Sequence, residues 1–253
     1  MASLSGRHAL VTGGGRGIGR AVSAALSQAG ASVTVLGRQR AALDDAVAQN
    51  DAAGIIVADV TDPAAISAGV TEAVSARGPF DILVANAGGA ETGPFAKTEA
   101  AQFQRMFDLN VLGIVHPARA LLGDMIARKF GRIVAVASTA GLKGYPYVSA
   151  YCTAKHAVVG LVRSLALETA RTGVTVNAVC PGYTDTDLVR DSVEAVSNKT
   201  GKSHEDVVAS YVKDMPVGRL IRPDEVAAAV LYLCSTEAGA VTGTAMTVAG
   251  GEI

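Results

Sequence analysis

The stretch H-A-L-V-T-G-G-G-R-G-I-G, from His8 to Gly19, joins a short apolar run to a turn rich in glycine. Residues 8–12 have the composition of a buried strand, and apolar side chains recur at helical spacing over residues 18–29. A strand, a glycine-rich turn and a helix together present backbone N–H groups that can receive a phosphate. The glycines fit T-G-x-x-x-G-I-G from Thr12, rather than the general dinucleotide fingerprint. The stretch therefore predicts a phosphate-binding turn, with tight strand–helix packing as the alternative.

Further apolar runs follow this unit at intervals, and helical patterns separate them. These predicted strands are Ser32–Leu36, Ile55–Ala58, Phe80–Ala85, Gly131–Ser138, Val174–Cys180 and Ala245–Ala249. Strands that alternate with helices indicate a parallel sheet covered on both faces. No linker, repeat or low-complexity segment interrupts the chain. We predict one α/β domain over residues 1–253, a Rossmann-type doubly wound parallel sheet of about seven strands flanked by helices.

Composition narrows the possible functions. The net charge is −1, which gives no electrostatic footprint for nucleic acid or an anionic membrane. No apolar run approaches the roughly 20 residues that span a bilayer, and the N-terminus lacks the apolar core of a signal peptide. The three cysteines, at positions 152, 180 and 234, lack metal-binding spacing, so we expect no metal and a reducing compartment. We expect a cytoplasmic protein with no nucleic-acid or membrane partner.

The stretch from Ser138 to Lys155 contains three side chains that could act together. Ser138 ends a predicted strand, and the spacing of four places Tyr151 and Lys155 on one face of a helix. A nearby ammonium favours phenolate, so Lys155 should lower the pKa of Tyr151 toward the working range of a catalyst. Taken alone, the pair could be a half-buried ring beside a solvated charge.

A basic residue occupies the position that selects the cofactor in dinucleotide-binding folds. An acidic residue usually follows the second strand and binds the ribose 2′-hydroxyl of NAD, but here Arg38 stands there and Arg16 lies in the glycine turn. Guanidinium groups suit a 2′-phosphate, which favours NADP(H) over NAD(H). Asp59 follows the third strand, where it could accept from adenine or cap the next helix.

The chain becomes polar after the sixth predicted strand. The segment from Leu188 to Met215 is predicted as a mobile insertion flanked by helical turns, a substrate lid at about 187–215. Its Arg190, Lys199 and Lys202, with Lys143, could meet the phosphates of an acyl carrier or could be solvated loop charges.

Together these residues resemble the short-chain dehydrogenase/reductase family over the whole chain. The matches are T-G-G-G-R-G-I-G from Thr12, D-V at Asp59–Val60, N-A-G at Asn86–Gly88, Asn110, Ser138, Y-C-T-A-K at Tyr151–Lys155, P-G at Pro181–Gly182 with Thr186, and a final V-A-G-G. One departure is Ala85, where the family commonly has Asn, which removes an amide beside the cofactor.

The resemblance implies a role for each matching residue. Tyr151 would be the general acid-base, and Lys155 would lower its pKa and hold the nicotinamide ribose. Ser138 would bind the substrate carbonyl, and Asn110 would hold a water on the proton path. Substrate contacts would come from Ser138, Leu142, Tyr145 and Tyr151. The cofactor site would comprise Gly13, Gly15, Arg16, Gly17, Ile18, Gly19, Arg38, Asp59, Val60, Asn86, Ala87, Gly88, Tyr151, Lys155, Pro181, Gly182, Thr184 and Thr186.

The expected function is an NADPH-dependent ketoreductase that transfers hydride to a β-keto acyl thioester or a bulky ketone. The stretches S-T-A-G, Y-C-T-A-K-H and N-A-V-C-P-G resemble the acyl and polyketide ketoreductase branch. One alternative is an NAD(P)-dependent dehydrogenase of a secondary alcohol or a 3-hydroxyacyl-CoA. A more remote one is a dinucleotide-binding protein without catalysis. A serine hydrolase lacks support, because Ser138 has no G-x-S-x-G context. The resemblance also implies a homotetramer, which the apolar helix after Tyr151 permits.

Overall fold

Parallel strands form one sheet at the centre of the protein, whose structure, a computed structural model, describes residues 3–253. Within these residues the sheet has seven strands in the order β3-β2-β1-β4-β5-β6-β7. The strands are β1 His8–Thr12, β2 Ser32–Gly37, β3 Gly54–Val57, β4 Ile82–Ala85, β5 Gly131–Val136, β6 Val174–Pro181 and β7 Ala245–Val248. The chain order reverses between β1 and β4, and in such sheets ligands bind beyond the carboxyl ends of the strands at this switch point.

Helices connect the strands and cover both faces of the sheet. They are α1 Gly17–Gln28, α2 Arg40–Ala48, α3 Pro63–Arg77, α4 Ala100–Phe107, α5 Gly113–Ala127, α6 Ser149–Thr169, α7 Asp187–Thr200, α8 His204–Val212 and α9 Pro223–Cys234. One core packs α3, α5 and α6 on the sheet, and the other packs α1, α2 and α9 on the opposite face. The predicted doubly wound α/β architecture is therefore confirmed.

Burial on both faces explains why the strands are apolar without alternation. Ile133 of β5 belongs to the first core, whereas its neighbour Val134 belongs to the second. Both side chains are almost completely buried. Helical coverage of each face thus holds the strands rigidly and fixes the position of their carboxyl ends.

Two predicted strand boundaries were wrong by two residues each, and the predicted insertion from Leu188 to Met215 contains more helix than expected. β4 begins at Ile82 rather than at Phe80, whose ring stacks on His8 with the centroids 3.8 Å apart. β5 ends at Val136, so Ser138 lies in the loop beyond the strand. The segment 187–215 is mostly helical, because Ser203 caps α8 and Val193, Val207 and Met215 are buried.

No helix in residues 3–253 is both long and apolar enough to cross a membrane. Within the same range, no group of three or more His, Cys, Asp or Glu side chains is arranged to hold a metal ion.

Candidate active site

The glycine turn between β1 and α1 presents free donors at the carboxyl edge of the sheet. Gly13 has a φ of +66°, and a Cβ there would lie 2.8 Å from Nδ2 of Asn86. A Cβ at Gly19 would collide with the carbonyl oxygen of Gly13. The residue that precedes α1, Arg16, makes no side-chain capping bond, and the first turn of α1 has no acidic residue. The N–H groups that begin α1 are therefore available to a phosphate.

Thr12 ties this turn to the end of the neighbouring strand β4. Its Oγ1 accepts from the backbone N–H groups of Asn86 and Ala87, each at 3.0 Å, and the Asn86 amide donates to the Thr12 carbonyl oxygen at 3.0 Å. These bonds join the ends of β1 and β4 at the switch point of the sheet. Ala85, the departure from the family pattern, is a buried residue of β4. Asn86 and Ala87 are therefore held beside the glycine turn although residue 85 has no side-chain amide.

The end of the site next to β2 and β3 is charged. Arg38 is 74% exposed, and its guanidinium lies 3.7 Å from the Asp59 carboxylate, while Arg16 donates to the side chain of Gln39. Hydrogen bonds from Thr61, helped by Arg38, lower the pKa of Asp59 despite partial burial. Oδ1 of Asp59 therefore accepts hydrogen bonds from the backbone N–H and the hydroxyl of Thr61. The neighbouring Val60 is buried and packs near Gly113. A cavity of about 550 Å³ opens here, lined in part by Arg38 and Asp59.

Ser138, Tyr151 and Lys155 meet where β5 ends and α6 begins. Ser138 begins a short 3₁₀ turn, and its Oγ accepts from the Ala140 N–H at 3.1 Å. Tyr151 and Lys155 lie on the first turns of α6, with Nζ of Lys155 5.7 Å from the centre of the Tyr151 ring. Nζ donates to the Val136 carbonyl oxygen at 2.9 Å. The predicted trio is therefore together in space, and its roles remain predictions.

The pKa values of this group differ from the expectation for the Tyr–Lys pair. Burial raises the pKa of Tyr151 to about 12, although its contact with Ser138 lowers it. Burial also lowers the pKa of Lys155 to about 8. The expectation that Lys155 lowers the Tyr151 pKa is wrong for the protein without cofactor. Lys155 Nζ donates to the Val136 carbonyl oxygen, and the effect of burial on the Tyr151 pKa is the larger one. Tyr151 consequently holds its proton at neutral pH, as a general acid must.

Asn110 lies in a turn of π-helix, Asp108–Leu112, between α4 and α5. Its Nδ2 donates to the carbonyl oxygens of Gly89 and Met106, each at 3.0 Å, and its Oδ1 accepts from the Gly89 N–H at 3.3 Å. A Cβ at Gly88 would lie 2.8 Å from Asn110 Oδ1 and 3.6 Å from Lys155 Nζ, so these groups flank Gly88. π-Helical turns are frequent at functional sites. The helical periodicity of the sequence did not reveal this one.

Pro181, at the end of β6, and Gly182 lead into the segment that begins the predicted lid. Thr184 Oγ1 donates to the Gly182 carbonyl oxygen at 3.0 Å, and Thr186 Oγ1 donates to the Thr184 carbonyl oxygen at 3.3 Å. The methyl group of Thr186 lies 3.2 Å from where a Cβ of Gly17 would be. The start of α7 therefore packs against the phosphate turn.

Aromatic rings line the side of the site where the substrate was predicted to bind. The Tyr145 ring meets the Tyr183 ring edge-on with the centroids 6.2 Å apart, and Tyr183 stacks on Tyr211 of α8 at 4.4 Å. Leu142 is partly buried against the core of the same region. Tyr183 and Tyr211 were not among the predicted site residues, because only contacts between distant segments bring them there.

The arrangement fits a bound dinucleotide. The free N–H groups of the glycine turn suit a pyrophosphate, Arg38 and Asp59 stand where an adenosine would lie, and Ser138, Tyr151 and Lys155 stand at the other end. In such an arrangement a cofactor can give hydride to a carbonyl carbon while a tyrosine hydroxyl gives a proton to its oxygen.

Comparisons with known proteins agree with this chemistry. A family model described as short chain dehydrogenase matches residues 7–197. Acetoacetyl-CoA reductase from Shinella zoogloeoides is 39% identical over 249 residues, which cover 97% of this chain and 98% of that protein.

Two solved structures superpose along almost the whole length. A variant of actinorhodin polyketide ketoreductase, solved with NADPH, has a TM-score of 0.93 and 36% identity, covering 100% of this chain and 99% of that one. Levodione reductase has a TM-score of 0.93 and 31% identity, covering 98% of both chains.

Proposed function

The chain belongs to the short-chain dehydrogenase family and is an oxidoreductase that acts on keto or hydroxyl groups, and we propose that it reduces a ketone with NADPH. The observation that carries this proposal is the convergence of Ser138, Tyr151 and Lys155 at the carboxyl edge of β5, beside an uncapped helix N-terminus. NADPH, when bound, supplies the hydride. A ketone is thereby converted to a secondary alcohol, with one proton taken from the protein.

Tyr151 supplies that proton from its hydroxyl to the carbonyl oxygen. Burial raises its pKa, so the phenol carries the proton at neutral pH and is able to act as the acid. The Ser138 hydroxyl, beside that of Tyr151, is positioned to donate to the same carbonyl oxygen as negative charge develops on it. Nζ of Lys155 lies 5.7 Å from the centre of the Tyr151 ring, close to Gly88 and Asn110, where it would hold the cofactor ribose and help return a proton to Tyr151.

Two arginines support NADPH rather than NADH. Arg38 is largely exposed at the end of β2, and its one carboxylate contact, with Asp59, is long at 3.7 Å. Arg16 lies near the same end of the site, because its guanidinium donates to the side chain of Gln39, the residue that follows Arg38. A 2′-phosphate would compete well for these guanidinium groups, because charge-assisted bonds to phosphate are strong. The actinorhodin ketoreductase with a similar fold was solved with NADPH, which supports the same choice.

The substrate we propose is a β-keto acyl thioester or a bulky ketone. One similar protein is named for acetoacetyl-CoA, a β-keto thioester, and another for a polyketide. The aromatic wall of Tyr145, Tyr183 and Tyr211 offers a broad, partly apolar surface. The basic residues considered for carrier phosphates support this less, because Lys143 pairs with Glu252 and Arg190 with Asp185 and Asp187.

The proposal extends to assembly and location. We propose a homotetramer built on the helices, because Leu167 of α6 is 82% exposed and a cavity of about 220 Å³ near α4 and α6 is lined by Phe103 and Phe107. Light scattering would test it, and a monomer would contradict it. We assign the protein to the cytoplasm because its cysteines, Cys152, Cys180 and Cys234, are buried and unpaired.

Steady-state oxidation of NADPH and NADH tests the activity, with acetoacetyl-CoA and a free cyclic ketone as substrates. We expect turnover of both ketones with NADPH and weaker turnover with NADH. Turnover of the free ketone but not of acetoacetyl-CoA would show that the thioester assignment is wrong. If neither ketone is reduced although NADPH binds, the proposed ketoreductase activity is wrong.

A further inference from the structure

Glu252 lies just beyond β7, and its side chain is only 3% exposed. Its Oε1 accepts from the Tyr145 hydroxyl at 2.5 Å and lies 3.0 Å from Nζ of Lys143. Its Oε2 is buried and has no hydrogen-bond partner in residues 3–253. That oxygen lies 3.0 Å from where a Cβ of Gly182 would be. Residues 249–253 therefore bring a carboxylate into the space between the loop after Ser138 and the segment after β6.

One set of contacts leads from this carboxylate to the catalytic loop. The Tyr145 hydroxyl also lies 2.7 Å from Oγ1 of Thr139, the residue next to Ser138. The Lys143 N–H donates to the Thr139 carbonyl oxygen at 3.0 Å. Glu252 thus fixes both Lys143 and Tyr145, and each of them contacts Thr139.

A second set of contacts leads toward the predicted lid. The Tyr145 ring meets Tyr183, which stacks on Tyr211 of α8. The Tyr211 hydroxyl lies 2.9 Å from Oγ of Ser192 on α7. The position of the Tyr145 ring, which Glu252 holds through its hydroxyl, therefore affects the packing of both lid helices.

From these contacts we propose that Glu252 is a positioning residue, which holds the loop Leu142–Val148 in the shape that binds a bulky ketone. The inference rests on the proposed ketoreductase function. Glu252 acts through Tyr145 and Lys143 and has no part in the transfer of hydride or proton. A buried carboxylate is a costly way to stabilise a fold, since apolar residues of similar size do so at least as well. A buried carboxylate with one oxygen unpaired is better explained by the fixed orientation that it gives to Tyr145.

Steady-state kinetics with a bulky cyclic ketone tests the role of Glu252. In Glu252→Ala we expect KM for the ketone to rise about tenfold or more, the effect of losing charge-assisted hydrogen bonds. The KM for NADPH and kcat should change by less than about twofold, because no cofactor or reacting group is displaced. Glu252→Gln keeps an acceptor for Tyr145 but loses the charge opposite Lys143, so its KM should lie between those of wild type and Glu252→Ala. The control Glu237→Ala removes an exposed carboxylate and should leave all three constants unchanged.

A double-mutant comparison shows whether Glu252 acts through Tyr145. Tyr145→Phe should raise the ketone KM to an extent similar to that of Glu252→Ala. The double variant Tyr145→Phe/Glu252→Ala should be no worse than the more impaired single variant, because both changes break the same contact. Independent effects that multiply, an unchanged ketone KM in Glu252→Ala, or an equal rise in the KM for NADPH would each overturn the proposal.

Trypsin cleavage after Lys143 tests the positioning without any turnover. The salt bridge to Glu252 holds Lys143 in the wild type, so Glu252→Ala should be cut there faster than both wild type and Glu237→Ala. Equal cleavage rates would overturn the proposal. If the wild type reduces no ketone while this cleavage behaves as expected, the proposed function fails but the holding of the loop stands.

Discussion

The two regions to which we assign catalysis and substrate binding are built in different ways. Lys155 and Asn110 are almost completely buried, and they are fixed by bonds to backbone carbonyls of β5 and of the segment after β4. The proposed substrate-facing region consists of the loop Leu142–Val148, the helices α7 and α8, and residues 249–253. There Tyr147 is 67% exposed and adopts a positive φ, and Leu188 is 48% exposed. In our proposal the chemistry therefore lies on the buried scaffold of the sheet, and substrate choice lies on the more exposed segments around it.

This difference has a measurable consequence. Changes in the catalytic region should lower kcat for every ketone by a similar factor, since they alter the transfer of the proton itself. Changes in the substrate-facing region should alter KM, and more so for bulky ketones than for small ones. A catalytic-region variant that changes mainly KM, or a substrate-facing variant that changes mainly kcat, would show that the distinction between the two regions is wrong.

The largest expected effect comes from Tyr151→Phe, which removes the proton donor but keeps the ring. We expect kcat to fall about a thousandfold for all ketones, within the range of general-acid catalysis, with NADPH binding unchanged. Tyr232→Phe removes the hydroxyl of an exposed tyrosine on α9, outside both regions, and serves as the matched control. Turnover of Tyr151→Phe near the wild-type rate would refute the general-acid role.

Lys155→Met comes next, with an expected loss in kcat of about a hundredfold, since it removes a preorganised charge from the site. The same variant has a second consequence for stability. Burial lowers the pKa of Lys155 to about 8, whereas the unfolded chain keeps the ordinary value of 10.5. At pH values between these two pKa values the unfolded state binds more protons than the folded state, so the free energy of unfolding rises with pH.

Chemical denaturation at several pH values tests this linkage in the cofactor-free protein. Between about pH 7 and about pH 9 the Lys155 contribution should raise the free energy of unfolding by about 1 kcal/mol in the wild type and be absent in Lys155→Met. Lys97→Met, at an exposed position, should retain the rise. The same pH dependence in Lys155→Met and wild type would show that Lys155 is not the group responsible.

A smaller effect is expected from Arg38→Asp, which places a carboxylate where a 2′-phosphate would bind. The ratio of kcat/KM for NADPH to that for NADH should fall by about tenfold or more, the size of a lost charge-assisted contact. The ratio should fall equally for small and bulky ketones, because Arg38 is remote from the carbonyl. An unchanged preference for NADPH would show that the 2′-phosphate assignment is wrong.

The smallest effect is expected from Tyr211→Phe, which removes the hydroxyl facing Ser192 but keeps the ring stacked on Tyr183. We expect KM for a bulky ketone to rise about threefold, as for one neutral hydrogen bond, with kcat unchanged. Leu188→Ala, at an exposed position of α7, gives a comparison within the same helix pair. A fall in kcat without a change in KM would place Tyr211 with the catalytic region.

Much of the fold was predictable because buried strands and amphipathic helices leave periodic patterns. The strands from β1 to β7 were each predicted within two residues at both ends, and Ser138, Tyr151 and Lys155 follow from the ends of predicted elements. Local spacing sufficed, because the carboxyl ends of parallel strands necessarily share one edge of the sheet.

What could not be predicted depends on contacts between distant segments. Glu252 meets Tyr145 across 107 positions of the chain, and no periodic pattern links the two. The π-helical turn at Asn110 departs from the regular period, and the direction of the Lys155 side chain depends on the Val136 carbonyl oxygen. The pKa of Tyr151 was mispredicted for the same reason, since desolvation depends on packing that spacing alone does not show.

The central claim is that this site transfers hydride from NADPH to a ketone, with Tyr151 giving the proton. Single turnover with NADPH deuterated at the transferring position of C4, followed by mass spectrometry of the product, tests it most directly. We predict an alcohol that carries the deuterium on the former carbonyl carbon in the wild type, and no product on the same timescale in Tyr151→Phe, although that variant binds NADPH. An alcohol without deuterium, or equal product from both proteins, would contradict the claim.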